Sequence, residues 1–178
     1  MNVIVEPIAP RHIESFHHAF DCVARERKYL AFLEAPPLVS TREFVVRNIE
    51  KDYAQFVAVA DANVVGWCDV IPKQRQVYSH CGVLGMGLLP PFRGKGHGAA
   101  LLDATLNKAR RQGLARIELA VRADNAQAIR LYKKVGFRQE GILKGGMRVD
   151  GSYKDVIVMA IVDPAVALAG GGSGLSGA

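Results

Sequence analysis

Apolar residues recur along this chain in two rhythms, a helical one early and a strand-like one through the middle. Val3-Ile4-Val5 reads as a short first strand. From about Pro10 to Phe32, the residues Ile13, Phe16, Phe20, Val23 and Ala24, then Leu30, recur at helical spacing, and Pro36-Pro37 stops the pattern. Ser40-Thr41-Arg42-Glu43 has the form of a capping box and predicts a second helix to about Lys51. Gln55 to Ala60 and Val64 to Ile71 read as strands turning at Asp61-Ala62-Asn63, and Gln76 to Leu89 continues the meander. Gly85 and Gly87 lie inside that last strand, which marks a bulge or a close approach by another chain or a ligand.

Helical spacing then returns to about Gln112, with Leu102, Leu106 and Ala109 on one face and Gly113 as C-cap. Arg116 to Arg122 alternates as a strand. Asp124 or Asn125 caps a further helix with the stripe Ala128, Leu131, Tyr132 and Val135, ended by Gly136. Phe137 to Leu143 and Tyr153 to Val162 are the final strands, turning at Asp150-Gly151. The order β-α-α-β-β-β-α-β-α-β-β predicts an α/β (α+β) fold: one mixed, mostly antiparallel twisted sheet flanked by helices. A single domain over 1–163 is expected, with 164–178 as a flexible tail rich in Gly, Ala and Ser.

Composition changes this picture in three places. No apolar run reaches the ~18 residues of a membrane span, and the N-terminus has no basic region or cleavage site. No membrane association is therefore expected, and a cytoplasmic location is. Cys22, Cys68 and Cys81 are widely spaced, with no zinc-type cluster, so reduced buried thiols and no metal are expected. The net charge of +6 is unevenly placed: Arg93 to Arg148 holds 13 Lys+Arg against 4 Asp+Glu, and the rest holds 10 against 13. Such a basic half suits a ligand with several phosphates. A nucleic-acid partner is not expected, because no interleaved aromatic platform accompanies the charge.

The candidate chemistry lies in that half. Arg93-Gly94-Lys95-Gly96-His97-Gly98-Ala99 is a glycine-rich loop between an apolar strand and a helix start. Its backbone N–H groups and the positive end of the helix dipole make a phosphate site. A P-loop is excluded because Lys95 is followed by Gly96 rather than Ser or Thr. A dinucleotide fingerprint matches at Gly94, Gly96 and Ala99, but hairpins surround it where βαβ units are required.

The pattern [QR]-x-x-G-x-[GA], met by Arg93, Gly96 and Gly98, resembles the acetyl-CoA loop of the GNAT N-acetyltransferases. The second signature of that family is also present, from Asn125 through Tyr132 to Phe137. The resemblance implies the GNAT acyl-CoA N-acyltransferase fold, acetyl-CoA as co-substrate, and acetyl transfer to an amine in a ternary complex without a covalent intermediate. It implies that the loop residues 93–99 cradle the pyrophosphate and that main-chain groups of Met86, Gly87 and Leu88 bind the pantetheine arm. The Leu88 N–H would serve the oxyanion, Tyr132 would protonate the departing sulfur, and Asn125 would contact CoA or a water. Structural roles also remain open for the last two: a core aromatic and a helix N-cap.

Many relatives carry a base as a Glu in the strand before the loop, and this strand has no carboxylate. His80 is the nearest titratable side chain. Water relayed to solvent, helped by Glu34 or Glu26, is the alternative. Tyr29, Phe32 and Glu34 fall in the region that lies over the acceptor pocket in the family. The run Ser79-His80, Lys144 to Arg148 and Asp150 to Val156 resembles the bacterial branch acting on amino acids and other small amines. A protein or peptide acetyltransferase, or a non-catalytic acyl-CoA-binding module, remains the alternative. Dimers are common in the family, and no interface is legible here.

Overall fold

Strand-forming and helix-forming runs alternate as the spacing predicts. The computed structural model describes residues 2–165. Its elements are β1 (Ile4–Pro7), α1 (Ile13–Arg25), α2 (Leu38–Glu50), β2 (Ala54–Ala60), β3 (Asn63–Pro72), β4 (Cys81–Leu88), α3 (His97–Arg111), β5 (Arg116–Arg122), α4 (Ala126–Val135), β6 (Arg138–Val149) and β7 (Ser152–Val162). The sheet order is β1-β2-β3-β4-β5-β7-β6. Every neighbouring pair is antiparallel except β4 and β5. That parallel pair needs a crossover, and α3 provides it.

Two cores follow from strand alternation. On one face, Cys68, Val70 and Leu84 pack with Leu101, Leu102 and Leu106 of α3. On the other, Val57, Val64 and Trp67 pack with Ile13, Phe16 and Val23 of α1. Each such fully buried side chain contributes ~1.5–3 kcal/mol of hydrophobic free energy. No helix among the described residues is long and apolar enough to cross a membrane.

Four local expectations need correction. The first helix ends at Arg25, not near Phe32, because Arg27 takes a left-handed turn at φ 55°. Residues 26–37 then run as an irregular wall over the sheet. The second helix begins at Leu38 behind Pro37, so Ser40 is no cap. The Thr41 hydroxyl instead meets His17 Nδ1 of α1 at 3.0 Å. The meander strand starts only at Cys81, since Gln76–Tyr78 forms a 3-10 turn. The last hairpin is longer than expected, with β6 reaching Val149. Beyond Ala165 the expected tail lies outside the described residues.

Candidate active site

Strand β4 has two partners, and it leaves one of them early. It pairs with β3 along its whole length, from Pro72↔Gly82 to Gly66↔Leu88. With β5 it pairs only at Cys81, Gly82 and Val83. From Leu84 onward the β5-facing backbone groups of β4 have no ladder partner, and the seam opens. A cavity of about 790 Å³ fills the opening and runs to the glycine-rich loop.

The loop is shaped by its backbone. Gly96 is the N-cap of α3 at φ 89°, a left-handed conformation that costs a residue with a Cβ about 1–2 kcal/mol. Ala99 and Ala100 return their N–H groups to the Gly96 carbonyl at 3.0 and 3.2 Å. The N–H groups from Gly94 to Gly98 have no backbone partner among the described residues. This contiguous array sits at the positive end of a helix running from His97 to Arg111. Gly94, Gly96, Gly98 and Ala99 line the cavity, as do Met86, Gly87 and Leu88. The side chains of Lys95 and His97 do not line it, so only their backbone belongs to the array.

Arg93 is placed differently from the expectation. Its guanidinium lies at the cavity wall but is turned away from the loop. It makes a two-pronged pair with Glu26, donates Nε–H to the Leu88 carbonyl at 2.8 Å, and lies 4.7 Å from the centre of the Tyr29 ring. It ties the end of α1 and the wall to the end of β4. Glu26 is occupied by this pair and is not free to assist as a base.

Tyr132 and Asn125 come from α4 and both line the cavity. The Asn125 Oδ1 accepts the Ala128 N–H at 3.2 Å, so the residue is an N-cap as well as a wall. Tyr132 is 7% exposed, and its hydroxyl has no hydrogen-bond partner among the described residues. Burial pushes the phenol above its ordinary pKa, so it stays protonated and able to donate. Cys68 is buried and its thiol is likewise pushed up, which makes it a poor nucleophile.

These features have parallels among known proteins. Residues 18–137 match the acetyltransferase (GNAT) family. The chain belongs to the GNAT family of N-acetyltransferases. Over 109 residues it is 36% identical to the L-amino acid N-acetyltransferase AaaT of Escherichia coli (strain K12), covering 61% of this chain and 67% of that protein. Over 160 residues it is 29% identical to an SPbeta prophage-derived uncharacterized N-acetyltransferase of Bacillus subtilis (strain 168), covering 88% and 87%. Its fold matches a GNAT superfamily phosphinothricin acetyltransferase from Sinorhizobium meliloti, solved in complex with acetyl-CoA. That match has a TM-score of 0.85 at 18% identity and covers 93% of this chain and 92% of that one.

Within this GNAT chain, the base expectations meet a different arrangement. His80 is exposed and absent from the cavity wall. It precedes β4 by one residue, at the end where β4 still pairs with β5, and lies seven residues before Gly87. At ~3.3 Å per residue that is roughly 23 Å of strand. Glu34 is also off the wall and lies 3.4 Å from Arg25. Tyr29 and Phe32, by contrast, do line the cavity.

The carboxylate at this cavity is Asp69, which the sequence reading passed over. It stands on β3 opposite Gly85, as Trp67 stands opposite Gly87. The two glycines leave room for these side chains: a Cβ on Gly85 would lie 3.3 Å from Asp69 Oδ1, and one on Gly87 would lie 2.3 Å from the Trp67 ring. There is no bulge between β3 and β4, so the close approach is by this chain's own side chains. Asp69 is 8% exposed, no cation among the described residues pairs with it, and burial pushes its carboxyl up to about 7. One signal was available: an acid inside the otherwise apolar run Val64-Val65-Gly66-Trp67-Cys68-Asp69-Val70-Ile71.

Proposed function

We propose that the protein transfers the acetyl group of acetyl-CoA to the primary amine of a small molecule, by direct attack within a ternary complex. The observation that carries this reading is one continuous cavity joining the unpaired Gly94–Gly98 N–H array, the open β4–β5 seam and the Tyr132 hydroxyl. The array suits a pyrophosphate, and the basic excess around it suits the remaining phosphate charge. The unpaired edge of β4 suits the amides of pantetheine, which would add to it as a further strand. In that pose the thioester lies near Leu88, whose N–H would meet the developing oxyanion.

The amine lone pair forms the C–N bond at the thioester carbonyl, and the C–S bond then breaks with its electron pair on sulfur. An ammonium acceptor gives up two N–H protons in all. One is balanced by the proton Tyr132 delivers to the thiolate, and the other leaves to solvent. The phosphinothricin acetyltransferase complex and the AaaT relative support the acetyl-CoA donor and a small amine acceptor. The resemblance to the amino-acid branch makes an amino acid the first acceptor class to test.

Two measurements test the reading. Titration calorimetry of the protein with acetyl-CoA is expected to give one site per chain. Thiol release from acetyl-CoA is expected to rise with one class of primary amines in a panel of amino acids, aryl and alkyl amines, polyamines and lysine peptides. Acetyl-CoA binding without release for any of them would favour the non-catalytic module.

A further inference from the structure

The acceptor side of the cavity has its own chemistry. Trp67 and Asp69 are two residues apart on β3, so they project from the same sheet face about 7 Å apart. That is the α1 face, where Trp67 packs with Phe16. The Phe20 ring lies 5.3 Å from Trp67 and 5.3 Å from Phe32, forming an aromatic path from the sheet to the rim. Phe32 is 50% exposed at that rim. Trp67 is buried and forms the floor, whereas Phe20 and Phe32 keep apolar surface in water that an apolar ligand laid along them removes.

Charge on this wall is equally selective. The cations lining the cavity are Arg93 and Lys134. Arg93 is already committed to Glu26 and the Leu88 carbonyl, and Lys134 lies in the last turn of α4. At the start of α2, the Ser40 and Thr41 N–H groups return to the Pro37 carbonyl, and the Thr41 hydroxyl meets His17. An acceptor ammonium meets Asp69, the one carboxylate lining the cavity among the described residues.

From this juxtaposition we infer that the acceptor is a primary amine on an aromatic or bulky apolar body. Its ammonium docks on Asp69, which accepts the first proton, and its body lies along Phe20 and Phe32 above Trp67. This rests on the acetyltransferase reading above. It narrows the primary-amine expectation to amines that carry an aromatic or bulky apolar body.

The test uses the full chain with acetyl-CoA. It compares phenethylamine, tyramine and tryptamine with ethylamine and with putrescine. The arylalkylamines are expected to show kcat/KM about tenfold or more above both, since only they bring a ring to cover Phe20 and Phe32. Phe32→Ala, at the exposed rim, is expected to raise the amine KM about fivefold with the acetyl-CoA KM unchanged. Asp69→Asn is expected to lower kcat/KM about 100-fold or more, with acetyl-CoA affinity within about twofold. Preference for ethylamine or for putrescine overturns the inference. So does full activity in Asp69→Asn, or silence of every arylalkylamine while acetyl-CoA binds. Failure to bind acetyl-CoA would instead overturn the underlying reading.

Discussion

Asp69 is a carboxylate held in an apolar strand between Val70 and Cys68, with Gly85 as its cross-strand neighbour. Its raised pKa has two consequences that can be separated. In the reaction, the acid form cannot take a proton. With an accepted amine, kcat/KM is therefore expected to fall about tenfold per unit as pH drops below about 7, a limb that Asp69→Asn should lack. For stability, the sign is opposite to that of a paired carboxylate. Between the unfolded value of ~3.9 and the folded value of about 7, the folded state holds the proton and the unfolded state does not, so stability falls as pH rises through this window. Asp69→Asn removes this loss. Relative to wild type, the variant should gain on the order of 2 kcal/mol between pH 5 and pH 8, read by urea unfolding at each pH. An equal difference at both pH values would show that Asp69 is not raised. Tyr132 belongs to the same scale: Tyr132→Phe keeps the ring that packs near Phe137 and removes only the hydroxyl. It should lower kcat about 10- to 100-fold with acetyl-CoA affinity unchanged, and unchanged turnover would remove Tyr132 from the mechanism.

Helix α3 and the end of β4 act as a unit at the element scale. Gly98 lets α3 sit close to α4 and β4, since a Cβ there would lie 3.1 Å from Leu131 and 3.3 Å from Leu88. The loop N–H array is thereby fixed beside the open edge of β4. At Gly96 there is space for a side chain, but φ 89° strains it and a negative charge would oppose the ligand's phosphates. Gly96→Asp is expected to weaken acetyl-CoA binding about tenfold or more by calorimetry, and Gly96→Ala separates the strain from the charge. Equal binding by a folded Gly96→Asp protein would refute the loop assignment.

The wall over the cavity is secured from several parts of the whole molecule. Glu26 pairs with Arg93, Arg27 with Asp150 of the β6–β7 turn, and Asp21 accepts the Ala35 N–H at 2.8 Å. Arg122 adds a hydrogen bond to the Arg27 carbonyl at 3.0 Å. The Arg93–Glu26 pair is the most sheltered of the two ion pairs, and it spans 67 residues of sequence. Glu26→Gln and Arg93→Gln are expected to show a coupling free energy of about 1 kcal/mol in a double-mutant cycle read by urea unfolding. Additive effects would mean that the pair does not hold the wall.

Much of this was legible locally. The strand and helix periods placed β2, β3, β5 and α4 to within a residue or two, because alternation and capping are short-range. The unpaired backbone of the glycine-rich loop was legible for the same reason: it uses consecutive N–H groups and the helix that follows. The end of α1 was not, because Arg27 turns where the wall meets Arg122 and Asp150 rather than where the apolar spacing stops. The acceptor side was not legible either. Gly85 and Gly87 read as strand irregularities until β3 pairs with β4 and sets Asp69 and Trp67 across from them. Arg93 read as a phosphate ligand until folding brought Glu26 beside it. The sequence by itself determined the order of elements and the glycine-rich loop, which depend on neighbours a few residues away. Only the tertiary structure decided which carboxylate faces the cavity, since that depends on strand register and on contacts between residues far apart in the chain.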